Sequence, residues 1–494
     1  MYTLGYDLGS SSIKAALVEA STGKSIALVS EPKKEMSMHS LNKGWAEQDP
    51  DDWWTYICNA TKKILEETKV LPSEITGVGI SYQMHGLVLV DKEGIPLRKS
   101  IIWCDGRAVD IGARAFDDLG RENCAQKLLN SPANFTASKL RWVKENEPEL
   151  YNSIYKAMLP GDYIAYRLSG KINSTISGLS EGIFWDFKDK QVAGWLLDYF
   201  GIHKELIPEI VDTFSDQGHI TVKGAKDTGL AEGTPILYRA GDQPNNALSL
   251  NVFNPGEVAA TGGTSGVIYA ITDNLSVKES SRVNNFAHVN YSSSNSRIGK
   301  LLCVNGAGIM YRWLLNNLKV SSYQEMNELA AQVPIGSDGV IILPFGNGPE
   351  RMLNNRDLGT QIENINLNIH SKAHLCRAAL EGIAFSFVYG MEILKADGIK
   401  AKVIRAGNDN LFRSPIFSNT IATLIEQEIE IYNTTGAIGA ARACHLHNGN
   451  YAAFGKQIMD NDYIMSYSPT SQKAEYIKAY THWKNQLEIT LKNN

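Results

Sequence analysis

Apolar and polar positions alternate over 2–8 and again over 13–19, a pattern that predicts two paired strands around the short turn Gly9-Ser10-Ser11-Ser12. The period then lengthens. Asp49-Pro50-Asp51-Asp52 carries helix-start chemistry, with Asp49 as N-cap, Pro50 in the first turn and acids facing the positive end of the dipole. Trp53, Ile57, Ala60 and Ile64 recur at helical spacing and are expected in the core. Strands are predicted over 75–81, 87–91 and 97–103, and helical patterns dominate 107–158.

The same plan restarts half a chain later. A strand over 236–240 leads into Gly241-Asp242, and a second apolar hairpin spans 257–271 around Gly262-Gly263-Thr264-Ser265-Gly266. A helix is predicted after Gly306-Ala307-Gly308, with Ile309, Trp313 and Leu314 on one face. A long helix over 371–396 stops near Gly398, strand 402–406 runs into Gly407-Asn408-Asp409-Asn410, and strand 428–432 precedes a last helix from Gly436. The restart places a boundary near 240–255, giving halves 1–248 and 249–494. A duplicated α/β domain with a cleft between its halves is the simplest architecture.

Each hairpin turn is built from glycine and small hydroxyl residues. Gly9 and Gly263 are expected to let the backbone bend and bring its amides up to an anion. Two such turns facing each other would hold a nucleotide's phosphates from opposite sides. Only the first carries an acid before the turn, Asp7.

Composition narrows the partners. With 43% hydrophobic and 20% charged residues and a net charge of −5, the 494-residue chain reads as ordinary globular protein. So small a charge argues against nucleic acid or an anionic membrane as the main partner. No apolar run reaches bilayer-spanning length, and the N-terminus enters a strand directly, so a cytoplasmic location is expected. The six cysteines are scattered, as free thiols in a reducing compartment would be. No Walker-type G-x-x-x-x-G-K-[ST] is present.

The two hairpins resemble the phosphate loops of actin-like (ribonuclease H-like) ATPases. More specifically, nearly the whole chain resembles the FGGY carbohydrate kinases. The similarity rests on Trp45-Ala46-Glu47-Gln48-Asp49-Pro50, Gln83-Met84-His85-Gly86, Trp103-Cys104-Asp105-Gly106-Arg107, Leu159-Pro160-Gly161-Asp162-Tyr163, Gly241-Asp242-Gln243, Gly263-Thr264-Ser265-Gly266 and Leu380-Glu381-Gly382. Seven segments in one order are hard to obtain by chance. Gln83-Met84-His85-Gly86 is the part similar to the xylulose kinases of the family, since its glycerol kinases carry an Arg-Glu-containing segment there.

The resemblance implies ATP-dependent phosphorylation of D-xylulose to D-xylulose 5-phosphate, with Mg2+. Asp242 matches the family's catalytic acid and would act as general base on the accepting hydroxyl; without the family, a turn Asp capping the next helix explains it. Asp7 would organise Mg2+. Gly9, Ser10, Ser11, Ser12, Gly263, Thr264 and Ser265 would grip phosphates, and Gly308, Gly407 and Asn408 would line the nucleotide pocket. Lys14 is either a further positive charge at the phosphates or a surface lysine. Met84, His85, Trp103, Asp105 and Gln243 would contact the sugar, with Trp103 as apolar wall or plain core and Asp105 as hydroxyl acceptor. Two departures stand out: Gln243 replaces the Asn usual after the catalytic acid, and Arg405-Ala406-Gly407-Asn408 replaces a three-glycine run. Glu350 and Arg351 are expected as an ion pair shaping the cleft, and His370 with His374 as a solvated helix start.

The expected partners are therefore a ketopentose and ATP, with neither nucleic acid nor membrane, and a homodimer is left open. A kinase for L-xylulose, ribulose or gluconate remains a near alternative. An actin- or chaperone-like nucleotide-gated binding protein is the alternative of another class, although Asp242, His85 and Trp103 would then have no task.

Overall fold

In the computed structural model, which describes residues 1–446 and 449–493, the first alternating segment closes as expected. β1 (Tyr2–Leu8) and β2 (Ile13–Glu19) form an antiparallel hairpin with Asp7 opposite Lys14, and β3 (Ser25–Glu31) extends the meander. Helix α1 (Pro50–Thr68) starts at the predicted cap, where the Asp49 side chain accepts the Asp51 N–H. Its Trp53, Ile57, Ala60 and Ile64 are fully enclosed. β4 (Ile75–Tyr82) then lies parallel to β1. A long excursion carrying α2 (Thr136–Asn146) and α3 (Ile176–Glu181) returns as β5 (Ile236–Gly241), parallel to β4. The sheet order is β5-β4-β1-β2-β3.

Helix α4 (Asp242–Ser249) leads out of this sheet toward a second one. There β6 (Glu257–Gly262), β7 (Gly266–Thr272), β8 (Asn284–Ala287) and β9 (Ile298–Val304) form the antiparallel part. After α5 (Gly308–Asn317) and α6 (Lys372–Ala396), β10 (Val403–Gly407) pairs parallel with β6 and β11 (Ile429–Tyr432) parallel with β10. Helix α7 (Gly436–Ala443) follows, then β12 (Tyr463–Tyr467) at the edge and α8 (Lys473–Asn493). The order is β8-β9-β7-β6-β10-β11-β12. Without its two edge strands this sheet repeats the first: three antiparallel strands, then two parallel ones. The chain is a duplicated actin-like, ribonuclease H-like fold, as the restart of the pattern implied.

The halves are sewn together by α4 and α7. Helix α7 belongs by sequence to the second half but packs on the face of the first sheet. Two glycines permit the approach: a Cβ on Gly5 would stand 2.0 Å from Ala437 O, and one on Gly79 would stand 2.0 Å from Ala440 O. Asn245 Nδ2 of α4 donates to Gly436 O at 2.9 Å, fixing the crossing of the two helices.

Three expectations are corrected. The strand predicted over 97–103 shrinks to Ser100–Ile101, because the backbone bends at Leu97 and Arg98 and turns after Ile102, where Asp105 N–H donates back to Ile102 O at 3.2 Å. Trp313 does not share the core face with Leu314: it is 52% exposed where Leu314 is 1% exposed, since adjacent helical residues point about 100° apart. The chain also does not finish at α7; α8 buries Trp483, whose indole N–H donates to Ile342 O at 2.9 Å. Among the described residues no helix is long and apolar enough to cross a membrane.

Candidate active site

The chemistry gathers at the carboxyl ends of β1, β4 and β5, where open α/β sheets place ligands. Register sets Asp7 beside Ser81, and Ser81 is beside Ala240 on its other flank. Ser81 Oγ donates to Asp7 Oδ1 at 2.8 Å, which fixes the carboxylate and leaves lone pairs on both oxygens. Lys14, opposite Asp7 across the hairpin, is exposed. The turn of the first hairpin is held by its own backbone, Gly9 N–H donating to Ser12 O at 3.1 Å, and by Gln48 Nε2 donating to Ser10 O at 2.6 Å.

Asp242 is the first helical residue after β5, at the positive end of α4, and is half-buried. Burial, and then the charge of Asp7, push its carboxyl up to about 7, with Gln243 partly offsetting the rise through hydrogen bonds. Behind it lies a residue the sequence reading missed. Glu181, at the end of α3, is 1% exposed, and its carboxyl packs where a Cβ on Gly241 would come within 2.2 Å. Burial, followed by the nearness of Asp242, raises its carboxyl well above the usual range. Burial thus works against charge on both acids. A carboxyl held near neutrality is matched to accepting a proton from a hydroxyl.

The loop after β4 carries Met84 and His85. The Met84 side chain is buried, so what it offers a ligand is backbone. His85 adopts a left-handed backbone angle of 62°, unusual for a side chain of this size. Its Nδ1 lies 2.8 Å from Glu181 O. A carbonyl only accepts, so Nδ1 carries the proton and Nε2 is left as an acceptor. Burial, helped by Lys139, lowers the imidazole to about 3, so it stays neutral. The ring sits edge-on to Phe135 at 4.7 Å and against Phe286, from the second half, at 5.2 Å. Lys139 of α2, fully buried, donates to His85 O at 2.8 Å and to Ile102 O at 2.9 Å. Burial lowers the Lys139 amine to about 7, and this one amine joins the His85 loop to the segment bearing Trp103, which is 52% exposed and not core.

Asp105 is corrected. It is fully buried and saturated within the chain, accepting from Ala46 N at 2.5 Å and from Arg107 N, Nε and a terminal nitrogen at 2.7–2.9 Å. Arg107 in turn pairs with Glu47 at 2.7 Å and stacks on Trp45 at 3.9 Å. Asp105 therefore shapes the loop behind Trp103 and has no lone pair to spare for a hydroxyl.

A cleft of about 280 Å³ lies at the other hairpin. Gly262, Gly263, Thr264, Gly308, Asp409 and Asn410 are among its lining residues, together with Tyr311, Arg312 and Tyr323, which the sequence reading missed. Helix α5 begins on the hairpin: Gly308 N–H donates to Gly263 O at 3.1 Å and Ile309 N–H to Thr264 O at 2.9 Å. Tyr311 and Tyr323 stack at 4.9 Å. Asn408 turns away, its Oδ1 accepting from Arg413 Nε at 2.9 Å, so the cleft is lined one to three residues later than expected. Neither Gly9 nor Gly263 uses a left-handed angle. What the missing side chain gives at Gly263 is open surface, with Ser265 O the nearest atom to a would-be Cβ at 3.7 Å. The expected Glu350–Arg351 pair does not form: Glu350 is fully buried and accepts from Asn305 N at 3.0 Å and Gly306 N at 3.3 Å, while Arg351 Nε donates to Ser281 O at 3.1 Å. His374 joins the Ser371 cap at the start of α6 and reaches Asp338 at 3.2 Å.

The family model for the N-terminal domain of the FGGY family of carbohydrate kinases matches residues 2–249, and that for the C-terminal domain matches 258–445. A xylulose kinase of Staphylococcus epidermidis is 30% identical over 398 residues, 80% of this chain and 77% of that protein. A xylulose kinase of Haemophilus influenzae is 29% identical over 457 residues, 90% of each chain. In fold, the chain superposes on a xylulose kinase from Rhodospirillum rubrum with a TM-score of 0.88 at 24% identity, covering 99% of both. A gluconate kinase from Lactobacillus acidophilus gives the same TM-score at 22% identity, covering 99% of this chain and 98% of the other. The acid at the end of β5, the glycine-and-hydroxyl hairpin in each half and the two matched domains lead to one conclusion: the chain belongs to the FGGY family of carbohydrate kinases, which phosphorylate sugars with ATP.

Proposed function

We propose that this enzyme phosphorylates the terminal primary hydroxyl of D-xylulose. The observation that carries the reading is Asp242, a carboxyl poised near neutrality at the carboxyl end of β5, next to the loop in which His85 presents a neutral acceptor nitrogen. Sugar hydroxyls would be held by His85 Nε2, the backbone at Met84 and Gln243, with Trp103 as wall. Asp242 would take the proton of the attacking hydroxyl as the γ-phosphoryl group departs from ATP. The first half, 1–248, would hold the sugar and the second, 249–494, the nucleotide, with Gly263, Thr264 and Ser265 gripping phosphates and Tyr311 and Arg312 nearer the base. Relatives named xylulose kinase over most of this chain support the choice of sugar. The six free cysteines fit a cytoplasmic setting. The binding-protein alternative loses its footing with membership of a kinase family.

Mg2+ fits the site through Asp7. Among the described residues no group of three or more His, Cys, Asp or Glu is arranged to hold a metal, and Mg2+ asks for one or two carboxylates plus phosphate and water oxygens. Bound there, it would neutralise phosphate charge. Asp7, fixed by Ser81, would be the protein's share of its shell.

Three measurements test this reading. Coupled ADP release should be fastest with D-xylulose across a panel including L-xylulose, ribulose and gluconate; a gluconate optimum would transfer the assignment. Because Asp242 works ionised, kcat/KM for the sugar should rise with pH through about 7 and then level. A profile flat across that range would remove Asp242 as the base. Lys139→Met should raise KM for the sugar about tenfold or more, the cost of leaving buried carbonyls without their donor, with KM for ATP within about twofold. Equal changes in both would mean that Lys139 does not organise the sugar loops.

A further inference from the structure

β1 and β6 are equivalent strands of the duplicated fold, yet they end differently. The parallel ladder between β1 and β4 continues to Leu8 opposite Tyr82, and Gln83 N–H then donates to Leu8 O at 2.7 Å. The ladder between β6 and β10 stops at Ala260 opposite Ala406, before β6 reaches its end at Gly262. Past that point the chain swings away, with Asp409 N–H donating to Gly407 O at 2.8 Å. The splaying of the two strands opens the cleft between Gly263 and Asn410. It also leaves the N–H of buried Gly262 without a ladder partner, and an orphaned buried amide is costly.

Asp409 fills the gap. Its Oδ2 accepts from Gly262 N at 2.6 Å, while Oδ1 accepts from Leu411 N at 3.1 Å and Phe412 N at 3.0 Å. We propose that Asp409 is a positioning residue for the nucleotide, its carboxylate bracing the second phosphate hairpin against the loop over 407–412 across the opening that ATP enters. The inference rests on this cleft being the ATP site. A carboxylate suits the task because three donors converge on it and its two oxygens offer about four lone-pair positions. The brace also uses up Gly262 N–H, so phosphate must be met by the amides of Gly263, Thr264 and Ser265, whose placement depends on where Gly262 is held. The sugar end stands on β1, β4 and β5, outside the reach of this brace.

Kinetics of Asp409→Ala and Asp409→Asn, with ATP and D-xylulose varied in turn, and ADP binding by calorimetry, test the proposal. Asp409→Ala should raise KM for ATP and Kd for ADP about tenfold or more, with KM for D-xylulose within about twofold. Asp409→Asn, which keeps one acceptor oxygen, should fall between. If the alanine variant does not fold, hydrogen exchange of the intact asparagine variant decides: the peptide over 257–266 should exchange faster than in the wild type without nucleotide. Wild-type KM for ATP in a folded Asp409→Ala enzyme, equal rises in both KM values, or unchanged exchange in Asp409→Asn would overturn the brace. Gly263→Val separates the two levels of the argument. If it weakens ADP binding while Asp409→Ala does not, only the brace fails; if it leaves ADP binding untouched, the cleft is not the nucleotide site and both fail.

Discussion

Asp242→Asn should lower turnover by on the order of 10²–10⁴-fold, the usual share of a general base, while ADP still binds and the protein melts no lower than the wild type. The asparagine keeps the size and shape of the side chain at the start of α4 but cannot take a proton. Stability should hold or rise, because folding forces the acid into a place where burial and Asp7 both work against its charge. Below its ordinary range the carboxyl is neutral in both states and costs nothing. As pH climbs toward about 7 the unfolded chain ionises first, and the folded state is disfavoured progressively. The substitution removes that term. A variant with near-normal turnover would take Asp242 out of the mechanism, and a variant that loses ADP binding along with turnover would make its role structural.

The second large effect is expected far from any ligand. Gly5→Ala and Gly79→Ala should each destabilise the protein by about 3 kcal/mol or more, at or above the upper end of ordinary overpacking. The new methyl group would sit 2.0 Å from a backbone carbonyl oxygen of α7 in each case, and a helix backbone cannot yield as the tip of a side chain can. Helix α7 would have to rise off the sheet. Its first residue, Gly436, lies close enough to Asp7 that a Cβ there would stand 2.7 Å from the carboxylate, so activity should fall in the same variants even at temperatures where they remain folded. Gly194→Ala is the control, since nothing lies within 4 Å of a Cβ there and the backbone angle is ordinary. Thermal melts of the three variants decide the matter, and equal melting temperatures would mean that the approach of α7 has slack to give.

The sequence carried the architecture well because strand alternation and helix caps are local. Asp49, Pro50 and the stripe from Trp53 to Ile64 define α1 without outside help. The two hairpins were legible for the same reason, and Asp242 stood out by following a strand that ends in glycine. What the sequence hid arises from segments that meet only in space. Glu181 comes to lie behind Gly241, Lys139 reaches two carbonyls from separate loops, and Phe286 crosses from the other half to touch His85. Asp105 was misread because Arg107, two residues on, captures it together with Glu47 and Trp45. Glu350 and Arg351 were misread because neighbours in the chain point in different directions, and a buried carboxylate beside two free amides takes the amides.

The placement of α7 also bears on how the protein is made. The face of the first sheet is covered by a segment translated only after most of the second half, so an emerging chain holds an unfinished lobe for most of its synthesis. Expressed alone, a fragment ending near Leu250 would leave the surfaces around Gly5 and Gly79 open to water and to other chains. Supplying the missing helix on a separate polypeptide should restore solubility, which makes this seam a natural place to split the enzyme into a reporter that regains activity only when its pieces are brought together.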